Sequence, residues 1–152
     1  MPHGSITETI PASSAEVFQL LHDYSRRLEW DTLLQDARLC DNLAKAQLHA
    51  TSICTGRRYM GCLALKTLYV TFSPPDVAAV KMLNRPLFFE AFAATIRHHD
   101  LDDGSSTIEY KYNFTARPAL LRWILHPVMA AVFRWETRKR LRALRSWFVA
   151  KG

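Results

Sequence analysis

The spacing of apolar residues changes twice along the chain, and this constrains the fold more than any single motif. From Thr32 to about Ala116 apolar side chains recur at every second position, whereas on either side they recur at helical spacing. Period two marks half-buried strands, and spacing at i, i+3 and i+4 marks amphipathic helices. Six consecutive strands are expected, over residues 33–42, 45–54, 62–72, 77–83, 87–99 and 106–116. Turn-forming residues separate them: Asp41-Asn42, Gly56, Ser73-Pro74-Pro75-Asp76, Asn84-Arg85-Pro86 and Asp102-Asp103-Gly104. Connections this short join antiparallel neighbours.

Ahead of these, residues 5–10 (SITETI) alternate and read as one more strand, ended by Pro11. Ser13 with Glu16 three positions later is a capping-box pattern that opens a helix. Val17, Phe18, Leu20, Leu21 and Tyr24 give that helix its apolar face, and residues 26–31 read as a second short helical segment carrying Trp30. After Arg117-Pro118 a long helix is expected to about Val149. Pro127 should kink or restart it, because proline lacks a backbone donor. Leu125, Met129, Val132, Phe133, Leu141, Leu144 and Phe148 fall on one stripe of this helix. The order therefore implies an α+β fold: a curved seven-stranded antiparallel sheet whose concave face is covered by the C-terminal helix. Space between such a sheet and a single helix is where a ligand would sit. A chain of 152 residues, 49% hydrophobic and 22% charged, suffices for one domain spanning 1–152.

The order of Ile10, Ala12, Val17, Phe18, Asp23, Trp30 and Asp31 resembles the N-terminal signature of the START-like superfamily, in particular the polyketide cyclase/dehydrase and lipid-transport group (SRPBCC proteins). Asp103, Gly104 and Thr107 resemble the acidic-Gly-x-Thr hairpin of the same proteins. The resemblance covers nearly the whole chain. It implies a helix-grip fold with a deep apolar cavity for a lipid, sterol, polyketide or plant hormone, and in a few members cyclase or dehydratase activity. Catalytic residues are not shared across the family, so it transfers none. Many members have a tryptophan where this chain has Ala94 or small neighbours, which implies a roomier cavity there.

The most chemically suggestive stretch is FFEAFAATIRHHD, residues 88–100. Strand parity puts Phe88, Glu90, Phe92, Ala94 and Ile96 on one face, expected to be the inner one for its bulk. Glu90 would then be a cavity carboxylate with a raised pKa, able to act as acid or base on a ligand. The competing reading pairs it with Lys66 or Lys81, or leaves it at the cavity mouth. His98 lies roughly 26 Å further along an extended strand, so the two cannot form a dyad. His98 and His99 face opposite ways and make a poor metal pair, so His98, His99 and Asp100 are expected as a solvated strand end.

Further lining is expected from Tyr110, Tyr112 and Phe114, which alternate with polar Glu109, Lys111 and Asn113. Trp30, Phe72, Trp123, Met129 and Phe133 complete the candidate wall; each of these aromatics also reads as plain core. No nucleophile elbow, metalloprotease motif or phosphate loop occurs, and neither cofactor nor metal is expected. Cys40, Cys54 and Cys62 are odd in number with no CxxC pair, the usage of a reducing cytoplasm. The N-terminal residues lack a signal-peptide pattern.

The formal charge of +6 is unevenly placed. Residues 119–152 hold eight basic residues and one acid, and the rest of the chain holds twelve and thirteen. Arg134, Arg138, Arg142 and Arg145 form a basic stripe on the long helix. That stripe suits a solvated outer face, or peripheral contact with an anionic membrane or acidic partner. Nucleic acid is disfavoured, since no exposed sheet interleaves aromatic and basic residues. The expected function is binding of a hydrophobic small molecule. A cyclase or dehydratase using Glu90 or a tyrosine, and an interaction module using the basic helix, are the alternatives.

Overall fold

The computed structural model describes residues 3–40, 45–57, 64–86 and 88–151. The turn expected at Asp41-Asn42 and the residue Cys62 lie outside them. Strand β1 (His3–Ile10) leads into α1 (Ser14–Leu21) and a 3₁₀ turn (Tyr24–Glu29). Then come β2 (Leu34–Leu39), β3 (Thr51–Gly56), β4 (Ala64–Ser73), β5 (Val77–Met82), β6 (Phe89–Asp100) and β7 (Ser106–Ala116). A short 3₁₀ turn (Ala119–Leu121) precedes α2 (Arg122–Lys151). The seven strands form one antiparallel sheet in the order β1-β7-β6-β5-β4-β3-β2. It curls into a half-barrel against α2, the expected helix-grip arrangement.

Local chemistry accounts for the element ends. The Ser13 hydroxyl accepts from the Glu16 amide at 3.3 Å and the Glu16 carboxylate accepts from the Ser13 amide at 3.2 Å, the reciprocal capping box. Asp100, at the end of β6, accepts from the backbone amide and the hydroxyl of Ser14 at 2.7 and 2.9 Å. It thereby ties the start of α1 to the sheet, and these bonds hold its carboxyl below the usual range. Gly4 lies opposite Tyr112 in the β1–β7 ladder, where a Cβ would stand 2.5 Å from the tyrosine hydroxyl. A glycine there lets the ring lie across β1.

Three departures from the expected elements have local causes. Residues 45–50 do not extend β3, because His49 takes a positive φ of 67° and turns the chain. Pro127 does not restart α2, which runs through it. The donor it lacks would serve the carbonyl of Trp123, in the first turn, where the ladder is only beginning. Strand β6 carries a bulge against β7: Phe89 pairs with Ala116 but Ala91 with Thr115, so Glu90 is the extra residue.

Among the described residues, the core is built in three patches. Ile6, Ile10, Val17, Leu20, Leu21, Trp30, Ile108, Leu141 and Leu144 join β1, α1 and the C-terminal half of α2. Phe89, Phe92, Ala94, Tyr112 and Phe114 meet Met129 and Phe133 from the N-terminal half of α2. Phe18, Tyr24, Ala46, Ala50, Tyr69 and Ala78 form the third, with Phe72 against it.

Candidate functional site

The bulge rewrites the inner face of β6. Buried residues run Phe89, Phe92, Ala94, Ile96, His98. Phe88, expected on the cavity wall, is 43% exposed with φ 70°. Glu90, expected beside it, makes an ion pair with Arg85 at 3.5 Å, its side chain about one-third exposed. One inserted residue shifts everything before it to the opposite parity. The acid/base reading of Glu90 loses its geometric basis, and its cation is Arg85 rather than Lys66 or Lys81.

The remaining expected wall residues fall into four groups. Phe92, Ala94, Tyr112, Phe114, Met129 and Phe133 come together under α2, with Tyr110 at the edge. They pack on one another: Phe133 is 5.3 Å from Phe92, 5.3 Å from Tyr112 and 5.0 Å from Phe114, centroid to centroid. Trp30 belongs to a different patch, against α1 and the far half of α2. Trp123 is 76% exposed on the outer side of α2 and lines nothing inside.

Only Phe72 of the expected set borders the cleft with the strongest chemical features. This cleft, of about 560 Å³, lies between α1, Lys45-Ala46 and the β4–β5 turn, not between the sheet and α2. Phe18, Phe72, Ala46, Pro74 and Pro75 make it largely apolar, while Gln19, His22, Asp23, Ser25 and Lys45 supply polar groups. Its volume falls within the range of small-molecule sites. A second cleft of about 380 Å³ lies on the other flank of α1, toward Trp147 and Phe148.

His22 is the chemical centre of the larger cleft. Its Nδ1 is 2.8 Å from the Tyr69 hydroxyl, which is 2.9 Å from the Tyr24 hydroxyl. Its Nε2 is buried with no hydrogen-bond partner among the described residues. Burial, with the positive charge of Arg27, holds His22 well below its usual pKa, so the ring is neutral. Burial also raises both tyrosines, so they keep their protons. Two proton arrangements follow. Tyr24 donates to Tyr69, Tyr69 to Nδ1, and Nε2–H is a donor; or all three reverse and Nε2 is an acceptor. The chain can therefore leave Nε2 either a donor or an acceptor. His98 stands behind Phe18, centroids 5.4 Å apart, with both ring nitrogens buried and lacking partners among the described residues. Burial lowers its pKa to about 4, against a smaller opposing effect of Asp76. It is not the solvated strand end expected; only His99 and the edge carboxylate of Asp100 are exposed.

Beneath this network lies a buried ion triad. Asp31 accepts from Arg27 Nε at 2.8 Å and from Arg140 Nη2 at 2.9 Å, and Arg27 lies over the rings of Tyr24 and Trp30. Burial opposes the charge on Asp31, but Arg140 and Arg27 outweigh it and hold the carboxyl at about 2. The sequence reading missed His22, Tyr24, Tyr69 and the triad as polar groups. The available signal was a histidine on the apolar face of α1, four residues after Phe18.

Comparison with known proteins places this geometry. The family model for polyketide cyclase / dehydrase and lipid transport matches residues 1–148. No curated protein matches the chain in sequence. Among solved structures, a START superfamily protein from Mycobacterium smegmatis superimposes with TM-score 0.81 at 8% identity, covering 99% of both chains. The ZhuI aromatase/cyclase from Streptomyces sp. R1128 gives 0.80 at 16%, covering 97% of this chain and 93% of that one. The protein XoxI from Bacillus cereus gives 0.78 at 15%, covering 98% and 96%. At these identities the likeness is one of fold. The family match over almost the entire length goes further: this chain belongs to the polyketide cyclase/dehydrase and lipid-transport family.

Proposed function

We propose that this protein binds one hydrophobic small molecule, lipid-like or polyketide-like, whose polar end meets His22 in the cleft beside α1. The observation that carries this reading is the buried Nε2 of His22, unpartnered among the described residues, in the wall of a mostly apolar cleft. A buried polar atom left without a partner costs roughly 1–3 kcal/mol, which a ligand hydroxyl, carbonyl or carboxylate would recover. Phe18, Phe72, Pro74 and Pro75 supply the apolar area that gives affinity. Lys45 at the rim suits an acidic head group.

Thermal denaturation with fatty acids, isoprenoid alcohols and aromatic polyketides tests this. A ligand at a hundredfold over its Kd should raise Tm by about 5 °C or more. Ala15→Trp, which fills the cleft from an exposed position of α1, should abolish the shift and leave the ligand-free Tm unchanged. Absence of any shift across the library, or an equal shift in Ala15→Trp, would overturn the reading.

The hydrogen-bonded chain also favours a second reading, in which the same site catalyses a cyclisation or dehydration. A neutral histidine backed by two tyrosines can move a proton to or from a bound polyketide. In that case His22→Gln loses turnover and keeps binding; if turnover persists, His22 is not the acid or base.

A further inference from the structure

The outer face of α2 divides into two parts. Over its first four turns it is mostly apolar and uncovered, with the exposed Arg134 beside the strip: Trp123 is 76% exposed, Val128 55% and Trp135 70%, with Ile124 between and Leu120, in the preceding turn, at 87%. From Arg138 onward the same face is basic, with Arg138, Arg142 and Arg145 exposed. Of the apolar stripe assigned from sequence, Met129, Phe133, Leu141, Leu144 and Phe148 pack inward, while Val132 is exposed. This is a second apolar strip, roughly 16 Å long from Ile124 to Trp135 at helical rise.

We infer that this face docks the protein on an anionic lipid surface, with the apolar strip entering the acyl boundary and the arginines on the head groups. Three observations favour a membrane over other occupants. Two tryptophans bracket the strip, and tryptophan is the residue best suited to the water–lipid interface. The charge is one-sided: residues 119–152 hold eight basic residues and a single acid, Glu136, which is buried. Each exposed cation near anionic head groups adds to the attraction. Finally, a second copy of the chain fits poorly. The facing strip of a second copy offers no exposed acid to Arg138, Arg142 and Arg145, so antiparallel packing would leave these charges uncompensated. No described helix is long and apolar enough to cross a membrane, so the contact is peripheral. The inference uses a surface separate from the cleft and stands whether or not the cleft takes a ligand.

The test is co-sedimentation with phosphatidylcholine vesicles, with and without phosphatidylserine, at low and high salt. The full chain should bind the phosphatidylserine vesicles, with a blue shift in tryptophan emission, and release at high salt. The Trp123→Ser/Trp135→Ser double variant should bind about tenfold or more weaker. Arg138→Glu/Arg142→Glu should lose the preference for phosphatidylserine. All four positions are exposed, so an unchanged Tm checks folding. No binding at low salt would overturn the inference, as would full binding by the tryptophan double variant. Concentration-dependent dimers abolished by that variant would instead identify a second copy as the occupant, and would also overturn it.

Discussion

Two neutral histidines set the acid limit of this fold. His98 has its pKa lowered from 6.5 to about 4 by burial, and His22 is lowered well below 6.5. A base with a depressed folded pKa binds fewer protons folded than unfolded. Its contribution is complete above the unfolded value of 6.5 and is lost as pH falls toward the folded value. For His98 the loss between pH 6.5 and about 4 is on the order of 3 kcal/mol. Urea denaturation across that window should show stability falling, and His98→Phe should flatten the fall. An unchanged slope in His98→Phe would contradict the assignment. Asp31 acts lower down: its carboxyl, held at about 2, keeps its contribution above the ordinary 3.8 and loses it as pH falls toward 2. Parity had put His98 on the inner face of β6, but its nearness to a turn suggested water. The Asp100–Ser14 bonds that draw α1 over this strand end decide otherwise, and sequence spacing does not reveal them.

Among the elements, the Arg27–Asp31–Arg140 triad ties α2 to the segment that follows α1. It joins the 3₁₀ turn (Arg27) and the residue just beyond it (Asp31) to the middle of the long helix, three charges in one buried cluster. Each charge is costly to bury, so the triad is worth little as a whole but much if broken on one side. Asp31→Asn leaves two arginines uncompensated and should cost about 3 kcal/mol or more. Arg140→Met leaves the Arg27–Asp31 pair intact and should cost less, and the double variant should cost less than the sum. Denaturant midpoints of the four proteins decide this; additive effects would mean the triad is not one unit. Capping at Ser13 and Glu16 was legible in the sequence because its signal is local. The triad was not, because Asp31 and Arg140 are 109 residues apart and Arg140 entered only the charge count of the terminal segment.

At the level of the whole molecule, spacing carried most of the fold and little of the site. The strand sequence, the hairpins and the closing helix follow from a period of two changing to helical spacing. The resemblance drawn from Ile10, Ala12, Val17, Phe18, Trp30 and Asp103-Gly104 is met by the family match. The site was less legible because it depends on where α1, Lys45-Ala46 and the β4–β5 turn meet, which sequence spacing does not reveal. Parity reasoning fails past a bulge, and so on β6 it gave Phe88 and Glu90 in place of Phe89; His22 was missed because α1 was read only for its apolar face. The sheet-and-helix architecture located the ligand under α2, where Phe92, Tyr112, Phe114 and Phe133 pack together. Photo-crosslinking with a diazirine-bearing fatty acid, followed by peptide mass spectrometry, compares the two locations directly. Labels on the peptides containing Phe18–Asp23 and Phe72–Pro75 are expected. Labels confined to Phe89–Phe92 and Met129–Phe133, or no labelling at all, would contradict a ligand site beside α1.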